Sequence, residues 1–287
     1  MSYWINNDQV WESIPCNNCG CDPGRLISLY GKPTAGVLPP SYPPNEFITS
    51  PGKWRFVECP DCRLRFYSPR LRQDEQWYDA LCRGEASIKQ AEQLFANGSF
   101  AIVKNPVNQI AWLENLYKES LERFTERLGR APKSIVEYGC GVGRLLKVAK
   151  EMYPGISARG CDPVRPMVDI CKREFGHDVE NCVFQEFPIP EIVDMIIGWN
   201  VIEHSFTPCD DIQKAFDSLT PGGVLYLRTF HEEGNGDGLQ TGPLAHQYHF
   251  FKSVLVDAVE RCGFDVEMWS DSRTIHVLGK RPDENSK

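Results

Sequence analysis

From Lys133 onward, short apolar runs alternate with segments whose apolar positions recur every three to four residues. SIVEY (134–138), SARGCD (157–162), VENCVFQEF (179–187), VDMIIGW (193–199) and VLYLRTF (224–230) read as strands. GVGRLLKVAKEMY (141–153), PMVDICKREF (166–175) and DDIQKAFDSL (210–219) read as the helices between them. A last helix, SVLVDAVERCGF, should stop at Gly263, and DVEMWS and TIHVLGK follow as strands joined by the three residues DSR. Such alternation builds a parallel sheet with helices on both faces, and the short DSR link adds one antiparallel strand. The expected class is α/β, Rossmann-like and mostly parallel.

Two regions before Lys133 lack this pattern. In residues 73–130, DEQWYDALC, ASIKQAEQLFA and PVNQIAWLENLYKESLERFTERL all have helical spacing, with Pro106 suited to a first turn and Gly129 to a C-terminal cap. We read this stretch as a helical connector or lid. Trp77, Tyr78 and Trp112 within it are expected to be core, with an aromatic cover over a substrate as the alternative. Residues 1–72 are rich in Cys and Pro, and KPTAGVLPPSYPPNEFITSPGK (32–53) should be a loop because Pro removes donors and fixes φ. The expected division is a small module at 1–72, the connector at 73–130 and the main domain at 131–287.

Composition narrows the function classes. No apolar run approaches the ~20 residues that span a bilayer, and MSYWINNDQVWESIP has neither the basic nor the apolar region of a signal peptide. A cytoplasmic protein is expected. A formal net charge of −8 argues against the basic footprint of a nucleic-acid binder. Arg63, Arg65, Arg70 and Arg72 do cluster, and we read them as a solvated rim. Cys140, Cys161, Cys171, Cys182 and Cys262, among 12 cysteines, lie in apolar runs and suit buried thiols in a reducing compartment.

The N-terminal cysteines have metal-ligand spacing. Cys16-Asn-Asn-Cys19 and Cys59-Pro-Asp-Cys62 are two C-x-x-C pairs, and each lets two thiolates of one turn reach the same ion. Gly20 can take the strained turn after the first pair. WRFVE and LRFY around the second read as hairpin strands. A closed, structural zinc site of Cys16, Cys19, Cys59 and Cys62 is expected, with Cys21 and Cys82 as substitutes. A segment this small buries little core, so a metal staple makes physical sense.

A second signature follows SIVEY. Gly139, Gly141 and Gly143 run from a strand into a helix, and the next strand ends in Asp162, about 20 residues on. Glycines let the backbone turn tightly and approach a ligand, while a carboxylate at that place accepts hydrogen bonds from ribose hydroxyls. The dinucleotide fingerprint would need a third glycine where Arg144 stands. Glu137, two residues before the first glycine, suits a ligand that carries a cationic sulfonium and an amino acid.

VEYGCGVGRLLKVAK resembles motif I of class I S-adenosylmethionine (SAM)-dependent methyltransferases, and GCDPVRPMVDICK their second motif. VDMIIGWNVIEHSFTPCDDIQKAFDSLTPGGVLYLRTF is similar to their fourth strand, helix and fifth strand, with the E-H and L-x-P-G-G signatures, and HFFKSVLVDAVERCGFDV to their late helix and strand. CNNCG with ECPDCRLRFYSPRLRQDEQWYD resembles more loosely the zinc-ribbon leader of small-molecule and sugar-pathway methyltransferases, with Arg63 where such leaders often have Gly. The resemblance implies a seven-stranded sheet with SAM over the strand ends. It places Gly139, Gly141 and Gly143 along methionine and ribose, Asp162 on the ribose, Pro163 and Glu186 or Phe187 by the adenine, and Asn200 by the methionine moiety.

Methyl transfer needs an aligned acceptor and, for a hydroxyl or carbon nucleophile, a base. Histidine is the default base. His231 follows the fifth strand, His246 and His249 follow the glycine-rich EEGNGDGLQTG, and His204 follows the fourth strand. His249, which matches the family's histidine before an aromatic pair, and His231 are favoured over His204, whose family position is often structural. The expected acceptor is a small molecule such as a sugar, nucleotide-sugar or secondary metabolite. The alternatives are a nucleic-acid or protein methyltransferase that docks through the zinc module, and a non-catalytic module that binds SAM or a partner.

Overall fold

The computed structural model describes residues 11–28, 56–68, 70–71, 85–97, 106–189, 192–230 and 246–283. Its centre is a seven-stranded sheet in the order β12-β13-β10-β9-β6-β7-β8. In chain order these strands are β6 (Ser134–Tyr138), β7 (Ser157–Cys161), β8 (Asp178–Glu180), β9 (Val193–Trp199), β10 (Leu219–Phe230), β12 (Asp265–Ser270) and β13 (Thr274–Lys280). β6, β7, β8, β9 and β10 are parallel, and β13 runs antiparallel to both β10 and β12. The single reversed strand is the one expected from the DSR link. β9 is buried along nearly its whole length, as a central parallel strand covered on both faces must be.

Two local readings are corrected. VENCVFQEF is not one strand: β8 stops at Glu180, and Phe184–Glu186 forms a 3-10 turn. The Asn181 side chain is the reason, because its amide donates to the carbonyls of Asp162 (3.0 Å) and Pro163 (2.9 Å) and turns the chain out of the sheet. The fifth strand starts before VLYLRTF: the helix ends at Ser218 and β10 begins at Leu219, with a bulge in LTPGG, since Leu219 pairs with Val193 whereas Val224 pairs with Met195.

Six helices are named here: α1 (Glu85–Asn97), α2 (Pro106–Leu128), α3 (Arg144–Met152), α4 (Arg165–Phe175), α5 (Pro208–Ser218) and α6 (Lys252–Arg261). α2 buries Leu121, Phe124 and Leu128 in one core cluster with Ile135, Leu146 and Tyr226, so it covers a face of the sheet. α1 places Ala91 in a smaller cluster with Val142, Met167 and Ile170, beside the glycine loop. Trp112 is 61% exposed on α2 and is therefore not core, while Trp77 and Tyr78 lie outside the described residues.

The N-terminal module is a ribbon. β1 (Trp11–Glu12) pairs with β5 (Arg70–Leu71). β2 (Ile27–Ser28), β3 (Phe56–Glu58) and β4 (Arg65–Tyr67) form an antiparallel sheet, to which β11 (Tyr248–His249) adds as a fourth strand. Tyr248 pairs with Phe66 and His249 with Arg65. The ribbon thus shares a sheet with the segment between β10 and α6, and Cys16, Val57, Leu64 and Phe66 belong to the same core cluster as Tyr138, Ile196 and Leu255.

Candidate active site

In an open parallel sheet, ligands bind beyond the strand ends where the strand order reverses. Here that point lies between β6 and β9, which are neighbours while β7 and β10 lead away on either side. The glycine loop leaves β6, and the turn carrying Asn200, Glu203 and His204 leaves β9. The two turns touch: a Cβ on Gly139 would overlap the Val201 side chain, and Gly139 takes φ +64°. Gly143 has φ +80°, and a Cβ there would strike Cys171 and approach the His177 ring to 2.9 Å. Both positions need glycine for space as well as for conformation.

The loop and the acid are fixed to each other. Asp162 is buried, and its carboxylate accepts the Gly141 N–H at 2.9 Å and the Val164 N–H at 2.8 Å. Burial raises its pKa to about 6, against the pull of these two N–H donors. Glu137 is also buried. Its carboxyl is pushed well above the usual range by burial, with the Leu146 N–H in the first turn of α3 opposing. Glu137 Oε2 has no partner among the described residues. Two buried acids at the mouth of a glycine loop, one with an enclosed orphan oxygen, suit a ligand with hydroxyl donors at one end and a cation at the other.

Arg144, read from sequence only as a departure from the dinucleotide pattern, clamps the connector to this loop. It donates to the Phe95 carbonyl at the end of α1 and lies 3.6 Å from Glu114 of α2. Asn181, which pins the backbone at Asp162 and Pro163, was also missed. A lone Asn after a strand carries no periodic signal. Asn200 follows β9 directly and takes φ +51°, a left-handed conformation that Asn tolerates better than most residues. Its N–H donates to the Arg228 carbonyl at 2.8 Å, and its side chain accepts from the Arg228 guanidinium. Phe187 is buried in the core under Arg159, and Glu186 is exposed on the 3-10 turn.

Beyond β9 the structure gathers three histidines. The rings of His204 and His246 are 4.7 Å apart, and those of His246 and His249 are 6.1 Å apart. His249 sits edge-on to Phe56 (4.9 Å) and Tyr67 (6.0 Å) of the ribbon. Burial holds the His246 pKa down at about 2, so it is a neutral imidazole. The Gln247 N–H donates to the Glu203 carbonyl at 2.8 Å, and its carbonyl accepts the Tyr67 N–H at 3.3 Å. The ribbon therefore helps set where these histidines lie. His231 lies outside the described residues.

In the ribbon, Cys16, Cys19, Cys59 and Cys62 converge, with all four Sγ atoms within 4.8 Å of one another. Cys16 Sγ and Cys62 Sγ are 3.5 Å apart, and Cys19 Sγ and Cys59 Sγ 3.4 Å. A tetrahedral zinc with bonds of about 2.3 Å needs sulfurs about 3.8 Å apart, so the donor set fits. The two knuckles repeat one geometry. The Cys16 N–H bonds the Cys21 carbonyl and the Cys59 N–H the Leu64 carbonyl, while Gly20 (φ +71°) and Arg63 (φ +64°) take the same left-handed place. Cys82 lies outside the described residues.

A family model described as a methyltransferase domain matches residues 110–268. The chain belongs to the methyltransferase-domain family. It is 26% identical over 162 residues to a protein of Mycolicibacterium smegmatis named "Probable S-adenosylmethionine-dependent methyltransferase", covering 54% of this chain and 61% of that one. It is 26% identical over 126 residues to the malonyl-[acyl-carrier protein] O-methyltransferase of Anoxybacillus flavithermus, covering 41% of this chain and 49% of the other. The matches thus span half to three-fifths of these curated relatives. The plantazolicin methyltransferase BpumL, solved with S-adenosylhomocysteine, shares the fold at a TM-score of 0.51 and 12% identity, over 69% of this chain and 96% of that one. In this methyltransferase-family domain no helix among the described residues is long and apolar enough to cross a membrane.

Proposed function

We propose that this protein transfers a methyl group from SAM to a small-molecule acceptor. The observation that carries this reading is the placement of the glycine loop, the orphan oxygen of Glu137 and the buried Asp162 at the switch point of a methyltransferase-family sheet. Glu137 and Gly139, Gly141 and Gly143 would receive the methionine end, and Asp162 the ribose hydroxyls. Pro163 and Glu186 or Phe187 would border the adenine, and Asn200 would stand near the methionine. In the reaction the acceptor's lone pair forms a bond to the methyl carbon, and the C–S bond breaks with its electron pair passing to sulfur. The acceptor's proton passes to a base, for which His249, His231 and His204 are the candidates. Zinc in the four-cysteine site would be structural, since four thiolates leave no open position.

A small acceptor fits better than a nucleic acid. Arg65 is paired to Glu58 at 2.8 Å, and both Arg63 and Arg65 lie over the Phe251 ring, so they are not free to form a phosphate-binding face. Calorimetric titration with S-adenosylhomocysteine tests the cofactor claim. Micromolar binding, weakened at least tenfold by Asp162→Ala, is expected. Absence of binding by folded, zinc-loaded protein would remove the proposal.

A further inference from the structure

A second cluster of metal-ligating side chains lies beyond β9. Glu203, His204 and His246 each offer one donor atom, and the three atoms lie within 4.8 Å of one another. Glu203 and His204 share the 3-10 turn Ile202–His204, while His246 arrives from the segment that pairs with the ribbon. The three belong to a mixed nitrogen and oxygen set, unlike the all-sulfur site at the knuckles.

Glu203 is the observation that points to a ligand. It is 2% exposed, and neither carboxylate oxygen has a hydrogen-bond partner at normal distance among the described residues. The Thr229 hydroxyl beside it on β10 is fully buried and equally without one. A carboxylate enclosed with both oxygens unsatisfied is costly, and native structures rarely leave one so. Protonation removes the charge, and pairing with the neighbouring Thr229 hydroxyl would satisfy one oxygen but leave the other. A cation satisfies both oxygens, and it would do so where two imidazoles already converge.

The distances allow it. Three atoms that lie within 4.8 Å of one another are all within about 2.8 Å of some common point, and modest side-chain rotation shortens that to the roughly 2.1 Å of imidazole and carboxylate bonds. His204 is the most open of the three and gives the ion a way in.

We propose that Glu203, His204 and His246 form a binding site for a divalent first-row metal ion at the acceptor end of the cleft. Two imidazoles and one carboxylate suit Mn(II), Fe(II) or Zn(II) better than Ca(II) or Mg(II). Three protein ligands leave positions open for an oxygen-bearing acceptor, whose hydroxyl the ion would acidify. That role rests on the methyl-transfer reading, whereas the metal site itself does not. With His204 as a ligand, the base falls to His249 or His231.

Mn(II) is the probe of choice, because it disfavours the thiolate site. Zinc-loaded full-length protein would be titrated with Mn(II) and followed by electron paramagnetic resonance, with S-adenosylhomocysteine affinity measured on the same samples. One equivalent bound with a dissociation constant below about 100 μM, weakened at least tenfold in the isosteric Glu203→Gln and in His246→Ala, is expected. Variants that keep their S-adenosylhomocysteine affinity count as folded. No Mn(II) binding by the wild type up to ~1 mM overturns the proposal, as does unchanged binding in folded Glu203→Gln. Mn(II) binding without S-adenosylhomocysteine binding would leave the metal site standing and take away the methyl-transfer reading instead.

Discussion

At Asp162, position and protonation make opposite demands. A ribose acceptor at this buried place must stay ionised, yet burial raises the Asp162 pKa to about 6, and the Val164 and Gly141 N–H donors are the largest influences that oppose the rise. Cofactor binding should therefore fail as pH falls through 6. Affinity for S-adenosylhomocysteine is expected to be about tenfold weaker at pH 5 than at pH 8, because only about one molecule in ten carries the charged form there. The ligand-free protein follows the other sign. An acid whose folded pKa lies above its unfolded value binds protons more tightly when folded, so this group's contribution to stability falls as pH rises from about 4 to 6. Calorimetry and thermal unfolding across that range would show the two trends crossing, and a flat binding profile would count against Asp162 as the ribose acceptor. Gly143 yields a steric prediction. Gly143→Ala adds a left-handed penalty to an overlap with Cys171 and should cost about 2–4 kcal/mol in urea unfolding. Cys171→Ala should recover part of that loss in the double variant, and additive costs would show that the clash is not its source.

Among the elements, those with a repeated period could be read from sequence, and those made by single contacts could not. α2 runs from Pro106 to Leu128 as its apolar spacing indicates, and β6 and β9 match SIVEY and VDMIIGW residue for residue. β11 has two residues, too few for any period, and exists because it pairs with Phe66 and Arg65, which are distant in sequence. β8 ends early because the Asn181 amide captures two carbonyls, a long-range choice that no local propensity records. The side chains of the Cys16–Cys19 knuckle are a similar case. The Asn17 Oδ1 accepts the Cys209 N–H at 2.8 Å in the first turn of α5, and Thr207, the residue at the cap position, gives no side-chain bond. Asn17 thus caps a helix of the sheet domain from the ribbon. Asn17→Ala should lower stability by about 1 kcal/mol, while Asn17→Asp should keep it, because it retains the acceptor and adds a favourable charge at the helix N-terminus. Equal losses in both variants, measured by thermal unfolding of zinc-loaded protein, would assign the effect to knuckle geometry rather than to the cap.

For the whole molecule, the question is whether the ribbon is an appendage or part of the active site's frame. The glycine loop, Asp162 and Asn181 make their contacts to β7, α3, α4 and the connector helix α1, whereas His246 and His249 lie on a segment bonded to β4. The glycine loop and the histidine segment therefore rest largely on different supports and meet at the turn after β9, where Gly139 packs on Val201 and Gln247 bonds the Glu203 carbonyl. Zinc removal should separate them. With the four cysteines unlinked, the small ribbon loses the energy that closes it, and its core residues, continuous with Tyr138 and Leu255, loosen as well. Chelation is expected to lower the unfolding temperature by about 5 °C or more. In hydrogen exchange, protection of residues 56–67 and 246–250 should fall together, while residues 134–143 and 157–164 stay protected and S-adenosylhomocysteine affinity changes less than threefold. If protection at 246–250 survives chelation, the ribbon does not hold those histidines, and its sheet with β11 is passive packing. If cofactor affinity is lost along with the zinc, the two sides of the cleft are one cooperative unit, and the separation of their supports is wrong.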